Sequence, residues 1–312
     1  MYSDEYMMGF EKQLKSGWRI GARGTYRDLI QSIEDVSFSY GLNRWIDENY
    51  PDAPHVGGWF AVLTNPGSDI TIPFDVDGDG EKETITVGSD LLGFPKSSRK
   101  YLGFELVADG KVGDRLELST SYTWSHSYGN TEGLLRSDND QSDPGWTTSY
   151  DYPELMDFSY GDLPNDHRHQ FKAFGSVKLS KEFSMGMNTN VVSGRPLNSF
   201  GLHPEEDCTA PCYGRIWYGA ISFFTDGEPT PRGSAGRTPW VYNLDLNLAW
   251  RKDFGTTNLL MKMDVFNIFD TEQATQLEEY AEFDNGATRS YHGQPTTWQS
   301  PRSIRFTIRY DF

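Results

Sequence analysis

No stretch of this sequence approaches the ~18 consecutive apolar residues of a membrane helix, and the mean hydropathy is −0.62. A helical membrane protein is excluded. A transmembrane β-barrel is not, because its strands alternate lipid-facing with lumen-facing residues and its loops are polar. Soluble β-sandwiches and propellers fit the same averages. Basic residues are also scarce, 28 Lys and Arg against 45 Asp and Glu for a net charge of −17, which sets aside a nucleic-acid partner, since that requires a basic footprint. The opening MYSDEYMMGF lacks a basic segment followed by an apolar one, so no signal peptide is read there. The expectation is a cytosolic chain or one whose beginning is missing. No nucleophile stands with a positioned base and no glycine-rich phosphate loop occurs, so no enzymatic activity is expected.

Cysteine is nearly absent. The two present, Cys208 and Cys212 in CTAPC, read as free thiols, as a zinc half-site or as a small disulfide loop. A zinc half-site is disfavoured because no second Cys or His pair accompanies them. In an oxidising compartment the disulfide is the expected form.

What the sequence does have is aromatic residues, 14% of the chain, set in segments of period two. Nine segments read as strands. In the first, Tyr6, Met8, Phe10 and Leu14 share a face; in the second, Trp18, Ile20, Ala22 and Tyr26 oppose Arg19, Arg23 and Arg27. The seventh aligns Trp240, Tyr242, Leu244, Leu246, Leu248 and Trp250 against Asn243, Asp245 and Asn247, and the last aligns Ile304, Phe306, Ile308, Tyr310 and Phe312 against Arg305 and Arg309. Short and long connections alternate along the chain, a signature of outer-membrane barrels. Trp18, Phe183, Trp250, Tyr310 and Phe312 fall beside the short turns or the C-terminus, and Trp124 and Trp240 toward the long loops, as two membrane interfaces require. The expected fold is therefore all-β, an antiparallel transmembrane barrel with long extracellular loops. Nine strands alone leave an open edge, which lipid does not tolerate, so residues 1–312 are expected to be the C-terminal portion of a larger barrel.

The stretches DEYMMGFEKQL, LPNDHRHQFKAFGS, VSGRPL, DVFNIFD and the terminal IRFTIRYDF together resemble the barrel of TonB-dependent outer-membrane receptors, the Oar-like subgroup in particular. The resemblance implies a barrel of about 22 strands with an N-terminal plug domain, which this sequence lacks. It further implies a place in the Gram-negative outer membrane and import of an unidentified extracellular ligand. The implied partners are outer-membrane lipid, the insertion machinery and, through the plug, TonB. A calcium-binding outer-membrane adhesin or structural protein is the first alternative, and a secreted calcium-binding β-protein the second.

Three smaller features are candidates for chemistry. DVDGDGEKE places Asp75, Asp77 and Asp79 at positions 1, 3 and 5 of a calcium loop with Gly80 at 6, and Glu81 and Glu83 follow. Thr86 stands where the bidentate Glu of an EF-hand belongs, so the choice is between a weak Ca2+ site and an acidic hairpin turn. DHRH, residues 166–169, reads as structural because no third metal ligand is evident. The strand arginines read as charge pairs between neighbouring strands.

Overall fold

A computed structural model describes residues 1–139, 141, 147–208 and 212–312. Nine long strands carry it: β1 (Tyr2–Gln13), β2 (Arg19–Gln31), β3 (Arg99–Val112), β4 (Leu116–Gly129), β5 (His169–Lys178), β6 (Phe183–Val192), β7 (Val241–Asp253), β8 (Asn258–Phe266) and β9 (Ser303–Asp311). With a short strand at Gly161–Asp162 against β4 they form one ten-stranded sheet, each long strand antiparallel to its neighbour in sequence. These strands lie where the period-two pattern places them. Tight turns join them pairwise. Between β1 and β2 the Leu14 N–H donates to the Trp18 carbonyl at 2.6 Å, and Gly17 takes φ 87°, a backbone region that a side chain would make costly.

Register neutralises the arginine face. Arg19 meets Asp109 at 2.7 Å, Arg23 pairs with Glu105 and Arg27 with Glu5, each across a strand boundary. At the other end of the sheet Asp264 takes Lys262 at 2.8 Å and Arg305 at 3.0 Å.

The strand order runs from β1 to β9 and stops. Among the described residues each of these two strands is paired on one side only, and both are exposed along their whole length. The sheet is open, and the expected transmembrane barrel is overturned. An edge strand carries a row of unpaired N–H and C=O groups that hydrocarbon cannot satisfy. The expectations that depended on the barrel are corrected with it: the outer-membrane location, import through such a barrel, the outer-membrane adhesin alternative, and partnership with outer-membrane lipid, the insertion machinery, a plug domain and TonB.

The hydrophobic core lies outside the sheet, in the long connections. Residues 32–98 fold into two small ribbons, Glu34–Ser37 with Ala61–Thr64 and Ile70–Phe74 with Glu83–Val87, and two helices, α1 (Ser39–Asn49) and α2 (Ser89–Leu92). Val36, Phe38, Leu42, Ile46, Ile85 and Val87 pack together with Tyr150 and Met156 from the next connection. The two helices meet at Gly41, where a Cβ would lie 2.9 Å from the Leu92 Cα. Glycine is required there by space.

A buried ion cluster ties the remaining connections together. The Asp138 carboxylate accepts from Arg136 Nε at 2.8 Å, Arg232 Nη1 at 2.7 Å and Asn198 Nδ2 at 3.1 Å. Both guanidinium groups also lie over the Phe223 ring, at 5.5 Å for Arg136 and 4.7 Å for Arg232. Glu279 extends the link to residues 267–302 by accepting from Arg195 Nη2 at 2.5 Å and the Asn198 N–H at 2.6 Å.

Candidate functional site

The connections form a cap, and the cap holds a cavity of about 570 Å³. One wall is α1. Its Leu42 and Ile46 enter the core, while Tyr40, Asn43, Arg44 and Asp47, spaced i, i+3, i+4, i+7, line the cavity on another face. The facing wall comes from residues 55–59, from Tyr152, and from Tyr213 and Trp217, one helical turn apart on α3 (Tyr213–Tyr218).

The polar groups in this cavity are held in place. Asn43 Nδ2 donates to the Val56 carbonyl at 3.2 Å and its Oδ1 accepts the Val56 N–H at 2.8 Å, which clamps the 55–59 segment to α1. Arg44 lies over the Tyr40 ring at 5.8 Å and donates to the Leu91 carbonyl at 3.2 Å. His55 and Asp47 meet at 2.6 Å. Trp59 and Trp217 remain 45% and 69% exposed, so much of their aromatic surface is free to meet a ligand. Tyr152 packs between Tyr213 and Tyr218, at 5.8 and 6.1 Å.

Titratable groups beneath the cavity are shifted by burial. Asp151 accepts from the Tyr218 hydroxyl, yet loss of solvent pushes its carboxyl up to about 7. Burial, with Asp35 beside it, raises Glu34 to about 8, although the Thr147 hydroxyl donates to it at 3.0 Å. The Tyr152 hydroxyl is raised to about 12, again mainly by burial.

The acidic stretch Asp75 to Glu83 is the turn of the second ribbon. Asp75, Asp77 and Asp79 each bring a carboxylate oxygen within 4.8 Å of the others. Asp75 accepts the N–H groups of Gly78 and Gly80 at 2.7 and 3.0 Å, Asp77 that of Asp79 at 3.2 Å, and Asp79 that of Glu81 at 2.8 Å. Glu83 instead caps the Val76 N–H at 3.3 Å. Three of the five candidate ligands therefore converge and two do not.

Cys208 and Cys212 are bonded, with Cα atoms 5.2 Å apart. The strand-end aromatics are exposed or half-buried side chains of an open sheet: Trp250 donates to Glu182 at 3.0 Å, Trp240 stacks on His169 at 5.8 Å, and Tyr310 on Phe312 at 6.2 Å. Trp18 lies against Gly110, Trp124 sits opposite Phe104 and His169, and Phe183 opposite Trp250. DHRH forms an ion-paired knot, in which buried Asp166 accepts from the Ser127 N–H at 2.6 Å, Arg168 at 2.6 Å and Arg237 at 2.5 Å. The cavity residues were not among the candidates legible in the sequence. Their signal is the helical spacing of Tyr40, Asn43, Arg44 and Asp47 within the long connection.

No protein-family model matches the chain. Over 352 aligned residues it is 27% identical to the TonB-dependent transporter Oar of Myxococcus xanthus, covering 99% of this chain and 28% of the relative. The chain thus spans less than a third of that relative's length. Among solved structures, the outer membrane transporter YddB from Escherichia coli superposes with a TM-score of 0.50 at 12% identity, over 98% of this chain and 32% of YddB, a likeness of fold alone. The siderophore receptor PiuA from Acinetobacter baumannii gives a TM-score of 0.49 at 10% identity, over 99% of this chain and 28% of PiuA. These relatives are named as transporters and a receptor, not enzymes. The chain is a remote homologue of the TonB-dependent outer-membrane receptors and transporters.

Proposed function

We propose that the chain is a ligand-binding module of the Oar-like kind, and that its cap cavity takes a neutral, ring-bearing ligand such as a short oligosaccharide. The observation that carries this reading is the pairing of exposed Trp59 and Trp217 with a face of α1 whose polar groups are already fixed. Aromatic faces stack on rings, and a few fixed polar groups orient them. The cavity lining carries one guanidinium, Arg44, and one carboxylate, Asp47, of opposite sign, which disfavours a strongly charged ligand. The Oar-like assignment is supported by identity along the whole chain. Titration calorimetry of the 312-residue chain with neutral malto-, cello- and chito-oligosaccharides tests the reading. Trp217→Ala should weaken any binding at least tenfold. Absence of binding at millimolar sugar, or unchanged affinity in both Trp217→Ala and Trp59→Ala, refutes it. We propose separately that the Asp75, Asp77 and Asp79 turn binds calcium weakly, supported by the convergence of their carboxylates.

A further inference from the structure

The disulfide does not stand alone. His203, fully buried, packs against it. Its Nδ1 lies 3.1 Å from Cys208 Sγ and donates to the Pro204 carbonyl at 2.9 Å, and its Nε2 lies 2.9 Å from Asp157 Oδ2. A ring nitrogen of His203 and the sulfurs of Cys208 and Cys212 all fall within 4.8 Å of one another. The Phe224 ring covers the imidazole at 4.5 Å, and Arg215 holds the His203 carbonyl at 2.6 Å, so the ring cannot easily turn away.

We propose that the reduced form of this cluster is a zinc site, with the thiolates of Cys208 and Cys212 and Nδ1 of His203 as ligands and water completing the tetrahedron. Two sulfurs and one imidazole suit a borderline-soft d10 ion and disfavour calcium or magnesium. Asp157 serves as the positioning residue. By accepting the Nε2–H it holds the ring with Nδ1 toward Cys208 Sγ, so that zinc would take the place of the Nδ1 proton now donated to the Pro204 carbonyl, an arrangement common behind metal-bound histidines. The missing partner that disfavoured zinc in the sequence is thus supplied by His203, five residues before Cys208. The steps balance. A thiol reductant gives two electrons to the Cys208–Cys212 bond and is itself oxidised to a disulfide, leaving two protein thiols. Zinc then displaces both thiol protons and the Nδ1 proton of His203 to solvent. Cys212 immediately precedes α3, whose Tyr213 and Trp217 line the cap cavity. The redox state therefore acts at the root of one cavity wall, through a site separate from the ligand cavity.

The test uses the whole chain, reduced with a phosphine, freed of reductant without air, and titrated with Zn2+ against a chromophoric chelator. Reduced protein should retain one zinc per chain and the reoxidised sample none. Zinc-edge X-ray absorption should show sulfur at about 2.3 Å and nitrogen at about 2.0 Å. Asp157→Asn should weaken zinc about 10- to 100-fold without altering the far-UV circular dichroism, and His203→Gln should weaken it further and remove the nitrogen shell. Equal zinc retention by oxidised and reduced protein overturns the proposal. So does a sulfur-only shell in the wild-type chain, a measurement that holds even if a variant fails to fold.

Discussion

Asp138→Asn removes one negative charge from the centre of the cap and leaves its shape. In the folded chain the Asp138, Arg136 and Arg232 side chains are 0%, 3% and 1% exposed, so neither guanidinium can turn to water when its partner is lost. Burial alone would raise the Asp138 carboxyl, but Arg136 and Arg232 outweigh it and hold the group below the ordinary carboxylate range. A depressed folded-state value means the stabilisation is fully present above the unfolded pKa and is lost as pH falls through the folded one. At neutral pH the whole contribution is therefore available for the substitution to remove. Breaking one side of a buried ion pair costs about 3–5 kcal/mol, a large share of the roughly 5–15 kcal/mol that holds a typical domain together. Because Asp138 joins residues 130–168 to residues 193–240, the loss should appear first in the cap. Hydrogen exchange followed by mass spectrometry should show residues 130–138, 195–201 and 230–238 opening together while β1 to β9 keep their protection. Chemical denaturation should give the energy, nearly unchanged at high salt because buried pairs are poorly screened. A cost below about 1 kcal/mol, the range of exposed pairs, would refute the reasoning.

Other perturbations follow from the same geometry. Asp151, raised to about 7 in the folded state from an ordinary 3.8, stabilises the fold below its unfolded pKa, and that contribution disappears as pH rises through about 7. Asp151→Asn should flatten the pH dependence of melting between these values, and an unchanged slope would assign it to other groups. The pairs Arg23 with Glu105 and Arg27 with Glu5 are half-exposed, so Arg23→Met should cost no more than about 1 kcal/mol by denaturant titration. Trp217→Ala should alter stability by no more than about 0.5 kcal/mol, which lets calorimetry read its effect on ligand binding cleanly. Chelation should speed proteolysis within residues 32–98, and Asp77→Ala should mimic it. Proteolysis indifferent to millimolar calcium would leave the turn as an acidic hairpin.

Strand position was readable because it is local. In β2 the alternation of Arg19, Arg23 and Arg27 with Ile20, Ala22 and Tyr26 marks both faces within nine residues, and Gly17 and Gly255 mark turns at φ 87°. What borders the edge strands β1 and β9 was not readable, because no period-two pattern records which groups meet across the edge of a sheet. The partners of Asp138 across the cap were hidden for the same reason, since Asn198 and Arg232 reach it only in the folded cap.

The cap was missed for a different reason, and that reason bears on where function sits. Its elements are short: ribbons of four or five residues and an α1 of eleven. Each carries too few apolar positions to register as a strand or helix. Yet Phe38 and Leu42 are 0% exposed, whereas Met8 in β1 and Phe306 in β9 are 83% and 74% exposed. Burying such a side chain contributes about 1.5–3 kcal/mol, so truncations of Phe38 or Leu42 should destabilise the chain far more than truncations of Met8 or Phe306. The regular sheet supplies order and spacing, and the irregular connections supply the core. A cavity walled by elements of that core, with Asn43 and Arg44 fixed by hydrogen bonds to backbone carbonyls, is preformed, so little ordering entropy remains for a ligand to overcome.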